Sequence, residues 1–334
     1  MIGMYGIPGY PHHYSVFNPS GTNSLVEYVA SSQVVRKLAV EMNTDNYLDF
    51  MNTDQTDNVG RIIIDGVVDA HDYYSNEGDE GYLDTHKTLQ VFFDSCYKAG
   101  PSQCSFYAPS PKAISQNLDK LYERIKNEPL PVLSRKTGSY GVVDHDFLRI
   151  VVFYTLLTPY TQFPALADGL AAYWPRGTQR RSGTLAMANP VVAGEALVDG
   201  TTAIQCNDGD AIPGTVRDAQ QYFAHLSQKK PNGQNVRANI RISCSGGPNL
   251  EKYFRGPFVA NTSHPMLLIG NTADPLTPLA SAKKMSKGFP GSVVLTQDSA
   301  GRCSFSAPSV CTIKHVKAYF ENGTLPAEGR FVPS

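Results

Sequence analysis

The chain of 334 residues has no Gly-x-Ser-x-Gly, no Cys-x-x-Cys and no His-Glu-x-x-His. The first absence removes the strand-to-helix turn on which most serine hydrolases mount their nucleophile. The other two remove the commonest zinc-ligand spacings, and the isolated pair His12-His13 does not replace them, so neither metal nor cofactor is expected. A strong net charge is missing too. With a formal charge of −1, and basic pairs such as Arg180-Arg181 and Lys229-Lys230 read as solvated surface, nothing draws nucleic acid or an anionic membrane. The most apolar run, Phe147 to Leu157, is interrupted by Arg149 and falls short of the roughly 20 residues of a membrane span, so it reads as a buried helix. Met1 to Pro11 show neither a basic n-region nor an apolar h-region, and as written the chain carries no secretion address.

The length allows a sizeable core. Three β-branched residues, Ile62-Ile63-Ile64, lie between Gly60 and Gly66 and predict a buried strand of a parallel sheet. A long helical insertion follows. Within it, Ser110 as N-cap and Pro111 at the first position open a helix with Ile114, Leu118, Leu121 and Ile125 on one face, ended by Pro129 and Pro131. Helical patterns recur at 84–98, 144–157, 161–173 and 215–228, whereas 175–200 reads as a loop. The chain returns to the sheet with a strand at 266–270, a helix at 278–287, a strand at 292–296 and a helix at 308–320. Leu25 to Met42 suggest one more helix inside an otherwise irregular segment, 1–57. This organisation is an α/β core at 58–69 and 256–334, with a helical cap at 70–255.

Two segments carry the chemistry. The strand Met266-Leu267-Leu268-Ile269-Gly270 runs into Asn271-Thr272-Ala273-Asp274-Pro275-Leu276-Thr277-Pro278, placing a carboxylate at a strand's carboxyl end, before a helix capped by Thr277 with Pro278 at its first position. A loop, Asp298-Ser299-Ala300-Gly301-Arg302-Cys303-Ser304, follows the next strand. In wording these segments resemble the carboxy-terminal region of the tripeptidyl-aminopeptidase-like (TAP-like) α/β-hydrolases, S33-type serine peptidases of actinomycetes and, in the version nearest here, fungi. The resemblance runs from about Asn58 to Gly329 and includes Val59-Gly60-Arg61-Ile62-Ile63-Ile64-Asp65-Gly66, Ile204-Gln205-Cys206-Asn207-Asp208-Gly209-Asp210 and Tyr319-Phe320-Glu321-Asn322-Gly323. It implies a partial α/β-hydrolase fold with a doubly wound, mostly parallel sheet and a large cap, Asp274 as triad acid, and Arg302 at the histidine position. It also implies secretion, action on peptide, amide or ester bonds, and three local disulfides: Cys96 with Cys104, Cys206 with Cys244 across one helix, and Cys303 with Cys311. From the residues alone, six reduced, buried cysteines remain an equal reading. Asn261-Thr262-Ser263 and Asn322-Gly323-Thr324 are glycosylation acceptors in keeping with an oxidising compartment.

The triad does not close. Arg302 stays protonated and has no acceptor nitrogen, so it cannot serve as base; a forked ion pair with Asp274 is its expected role. Ser139, in Gly138-Ser139-Tyr140-Gly141, sits in a cap loop, and His264 and His315 read as surface or packing residues. Where the family places the helix after its nucleophile elbow, Tyr47 to Asp57 contain no serine. The expected protein is therefore a truncated or catalytically degenerate hydrolase homologue, with the nucleophile unknown. The rival readings are an active hydrolase of small-molecule biosynthesis using an unrecognised nucleophile, and a non-catalytic binding or interaction module. A small-molecule or peptide ligand is expected, along with association through sheet surface left uncovered beside the Arg61–Asp65 strand.

Overall fold

The computed structural model describes residues 61–78, 80–133, 140–174, 206, 208–212, 214–229, 234–245 and 257–334, together with the backbone of Leu25–Val26. The first described pair is a strand, β1 (Leu25–Val26), antiparallel to β2 (Ile63–Asp65), with Leu25 opposite Ile64 and Val26 opposite Ile63. This corrects two expectations. The helix predicted from Leu25 begins as a strand, and β2 has the neighbour that seemed missing. The open edge of β2 offers N–H and C=O groups that need partners, a demand that outweighs the weak helical periodicity of this stretch. The remainder of that predicted helix, 27–42, lies outside the described residues.

β2 leads into α1 (Ala70–Ser75), whose first N–H groups are capped by Asp69, with Oδ1 accepting from His71 N at 3.1 Å and Asp72 N at 3.3 Å. Ala70 and Tyr74 pack with the sheet and Phe258, so this first turn of the expected cap belongs to the core layers. The cap proper then runs through α2 (Thr85–Ala99), α3 (Pro111–Asn127), β3 (Leu130–Leu133), β4 (Tyr140–Val143), α4 (His145–Leu157), α5 (Pro159–Tyr173), α6 (Val216–Lys229) and α7 (Gln234–Cys244). α3 starts as its sequence dictates: the Ser110 side chain accepts from Ala113 N at 3.1 Å, and Pro111 occupies a position that needs no donor. Its buried stripe, Ile114, Leu118, Leu121 and Ile125, meets Leu89, Phe92, Leu148, Leu166 and Leu170 in one apolar cluster. The disulfide Cys96–Cys104 closes the end of α2 onto that cluster.

Two cap features were not anticipated. β3 and β4 form an antiparallel hairpin where Pro129 and Pro131 suggested loop; a two-stranded ribbon has only edges, which is where a proline without an N–H is tolerated. The segment between Cys206 and Cys244 holds two helices, α6 and α7, rather than one, although the disulfide that spans them forms as expected. Asn235 of α7 donates to Asp146 of α4 at 2.6 Å and ties this pair to the rest of the cap.

The core resumes with β5 (Leu267–Ala273), α8 (Leu279–Met285), β6 (Val293–Ala300), α9 (Val310–Asn322) and β7 (Phe331–Pro333). The sheet order is β1-β2-β5-β6-β7, with all pairs after the first parallel. Alternate side chains serve opposite faces. Ile62, Ile64, Met266 and Leu268 meet Ala282 and Met285 of α8, whereas Ile63, Leu267, Ile269 and Leu295 meet Val316, Tyr319 and Phe320 of α9. Gly270 permits the close approach of α8, since a Cβ there would lie 2.8 Å from Leu279 Cδ1. The architecture is a partial α/β-hydrolase fold, a mainly parallel sheet between helical layers. The apolar surface expected to be bare along Ile62–Ile64 and under α8 and α9 is buried.

Candidate functional site

Parallel strands bring their carboxyl ends to one edge, and here that edge carries two buried carboxylates. Asp65 ends β2 and Asp274 follows β5, both almost wholly shielded from solvent. Asp274 Oδ1 accepts from Leu276 N at 2.9 Å and Thr277 N at 2.8 Å; Oδ2 accepts from Thr277 Oγ1 at 2.8 Å and Cys303 N at 3.0 Å. Thr277 is thus spent on Asp274 rather than on capping, and Pro278 stands at the N-cap of α8. Asp65 holds the next residue of the same loop, accepting from Ser304 N at 3.0 and 3.1 Å and from Ser304 Oγ at 2.6 Å.

Side chains of the strands fix the loop from below. Asn271 Nδ2 donates to Gly301 O at 2.9 Å and Cys303 O at 2.6 Å, while Gln297 Nε2 donates to Ser304 O at 3.1 Å and Ala307 O at 2.9 Å. Gly301 has φ +96 and lies against Pro159, where a Cβ would come within 2.5 Å, so this turn requires glycine. The cap docks on the other strand end: Thr88 Oγ1 donates to Ala273 O at 2.7 Å, Thr85 Oγ1 to Pro275 O at 2.8 Å and Tyr82 N to Leu276 O at 3.3 Å. Burial pushes the Asp65 carboxyl up to about 6, against the hydrogen bonds of Ser304 that favour the ionised form. Burial likewise raises Asp274, against the N–H groups of Thr277, Cys303 and Leu276 and the charge of Arg302.

Residues 230–331 match the family model described as TAP-like protein. The carboxy-terminal region is therefore similar to the TAP-like α/β-hydrolases. No curated protein matches the chain.

The TAP-like region contains both Asp274 and the loop with Arg302, but the expected fork between them does not form. All four hydrogen bonds to Asp274 come from Leu276, Thr277 and Cys303. A carboxylate has about four acceptor sites, so none is left for a guanidinium. Arg302, itself buried, instead donates its backbone N–H to Leu157 O at 2.9 Å, joining the loop to α4 of the cap. The third carried-over disulfide is also corrected: Cys303 and Cys311 are not joined to each other. Cys303 turns its thiol to Asp65 O at 3.5 Å, at the strand ends, whereas Cys311, on α9, packs against the cluster of Val316, Tyr319 and Phe320.

The histidines do not fill the gap in the TAP-like region. His315 lies on α9, its imidazole lowered by partial burial and then by the charge of Arg330, and His264 is exposed ahead of β5. Ser139 and His12-His13 lie outside the described residues. Asn261 and Asn322 are exposed, and Thr324 N and Oγ1 both donate to Asn322 Oδ1, at 3.0 and 2.6 Å. A cleft of about 450 Å³ between α2 and α3 is lined by residues of those two helices alone, among them His86, Phe93 and Asp119. Asp65 and Ser304 were the residues missed. Their signal was present: Asp65 ends a buried strand just as Asp274 follows one.

Proposed function

We propose that this chain is an α/β-hydrolase homologue, by descent directed at peptide, amide or ester bonds, whose sheet end is catalytically silent. The observation that carries this reading is the saturation of Asp274. In a working triad the carboxylate accepts the imidazole N–H, fixing the tautomer and stabilising the imidazolium that forms. Here its acceptor sites are taken by two backbone N–H groups of its own turn, the Thr277 hydroxyl and Cys303 N. The loop that would present the base is closed on the sheet by Asp65 and Ser304, and it carries a guanidinium that cannot accept a proton. An acid of this kind has become part of the scaffold.

Fluorophosphonate labelling of the full chain, run beside assays of peptide, amide and ester turnover, is expected to show neither labelling nor turnover. A labelled peptide containing Ser139 or any other serine would refute the reading in favour of an active hydrolase with an unrecognised nucleophile. Arg302→His is expected to gain no turnover, because a base without a nucleophile and a free carboxylate partner leaves only binding. Measurable turnover in that variant would show that the site needs only its histidine.

A further inference from the structure

Hydrogen bonds tie the cap to the carboxyl edge of the sheet at two segments, and a buried carboxylate anchors each. Thr88 Oγ1, Thr85 Oγ1 and Tyr82 N meet the carbonyls of Ala273, Pro275 and Leu276, in the turn that Asp274 closes by accepting from Leu276 N and Thr277 N. Ala300 N donates to Tyr160 Oη at 3.3 Å and Arg302 N to Leu157 O at 2.9 Å, in the loop that Asp274 and Asp65 hold through Cys303 and Ser304. That loop is also strained. Cys303 has φ 58 and ψ 164, a region that residues with a side chain occupy only when their surroundings impose it.

The two carboxylates oppose each other, since the charge on Asp274 disfavours ionisation of Asp65. Arg302 favours the ionised form of both, yet burial outweighs it and raises both. Among the described residues the other titratable groups at this edge are the Cys303 thiol, turned to Asp65 O, and the phenols of Tyr82, Tyr154 and Tyr160. Burial pushes Tyr82 up to about 12 and raises Tyr154 as well, so these two stay neutral. Asp298 is exposed and accepts from Thr272 Oγ1, while Asp69 and Asp84, at the N-caps of α1 and α2, pair with Lys284 and Lys87. An opened loop returns Asp65 to water and to its ordinary 3.8, against about 6 when closed, so the closed loop binds the proton more tightly.

We propose that the 300–304 loop and the Asp274 turn form a proton-operated latch, which clamps the cap to the sheet while Asp65 and Asp274 are protonated and loosens it when they ionise. Ionisation sets two buried negative charges against each other, and local opening relieves both that repulsion and the strain at Cys303. Closure is favoured most at acid pH and weakens as pH rises through about 6. From pH 5 to 7.5, Asp65 alone lowers the ratio of closed to open loop about tenfold. The latch concerns the docking of the cap, so it stands or falls apart from the catalytic silence of Asp274.

Hydrogen exchange of the full chain, followed by mass spectrometry at pH 5 and 7.5 and corrected for intrinsic rates, tests it. Peptides covering 299–307 and 155–161 are expected to exchange about tenfold faster at the higher pH, and well ahead of peptides from α3. In Asp65→Asn, which keeps the neutral shape of the acid at both pH values, the acceleration should shrink to the part that Asp274 contributes. Ser304→Ala should move the midpoint of opening to higher pH, because the lost hydroxyl favoured the ionised form of Asp65. A merely packed loop would open more at every pH in that variant, with no shift of midpoint. Equal corrected rates at both pH values in the parent, or an acceleration in Asp65→Asn as large as the parent's, would overturn the proposal. So would exchange of the loop and α3 at one common rate, which would mean global unfolding in place of a latch.

Discussion

The cap and the carboxyl edge of the sheet are both buried, yet they are held by opposite means. In the cap, Ile114, Leu118, Leu121 and Ile125 of α3 meet α2, α4 and α5 in an apolar cluster sealed by Cys96–Cys104. At the sheet edge, Asp65, Asp274, Asn271 and Gln297 hold the 301–307 turn almost entirely by polar contacts to its backbone. Apolar packing tolerates exchange of similar shapes, whereas each buried polar group depends on one named partner. The contrast teaches how a buried carboxylate can serve as scaffold: it keeps its place by accepting from the backbone around it.

The comparison breaks most readily at Asp274. Asp274→Ala leaves Leu276 N, Thr277 N, Thr277 Oγ1 and Cys303 N without acceptors; relief of a desolvated charge offsets part of this, and urea unfolding is expected to show a loss of about 4 kcal/mol. A loss under 1 kcal/mol would mean that water or another donor set replaces the carboxylate. Leu118→Ala, in the middle of the cap cluster, should cost about 3 kcal/mol through lost burial and the cavity left behind. If the cap melts separately in calorimetry, only its own transition should move.

Acidity sharpens the contrast, because among the described residues the raised carboxylates lie at the sheet edge. The Asp65 carboxyl is raised from 3.8 in the unfolded chain to about 6, so the folded state holds its proton more tightly. The stability this gives is fully present below pH 3.8 and is lost as pH rises through about 6, by roughly 3 kcal/mol in all at 1.36 kcal/mol per pKa unit. Asp274, shifted the same way, adds to the fall. Asp65→Asn should flatten the stability profile between pH 4 and 6; an unchanged profile would assign the titration elsewhere. The smallest effect belongs to the cap disulfide. Replacing Cys96 and Cys104 by serine reopens a loop of 8 residues, with an expected loss of about 2.5 kcal/mol in chemical unfolding, and reduction of the parent should reproduce it.

Legibility in the sequence followed the range of the force involved. α3 was readable because its cap, its proline and its apolar spacing are all local to the segment they specify. The strand ends around Asp274 were readable because an apolar run ending in Asp-Pro before a helix is a local pattern, and β5 ends at Ala273, just before it. β1 was not, since two residues, Leu25 and Val26, take strand form through pairing with Ile63 and Ile64 far along the chain. The hairpin β3–β4 failed for the same reason: cross-strand bonds from 140–143 decide the state of 130–133, despite two prolines that signal loop.

By itself, the sequence determined the layers, most of the cap's helices and the position of Asp274 after its strand, because side-chain identity and spacing suffice for each. Only the tertiary structure decided what those residues do. It filled Asp274 with backbone donors, brought Asp65 to the same loop through Ser304, and set Cys303 at the strand ends while Cys311 packs against the α9 face. Each of these outcomes depends on which distant groups share a few ångströms of low-dielectric space, and spacing along a chain does not encode that distance.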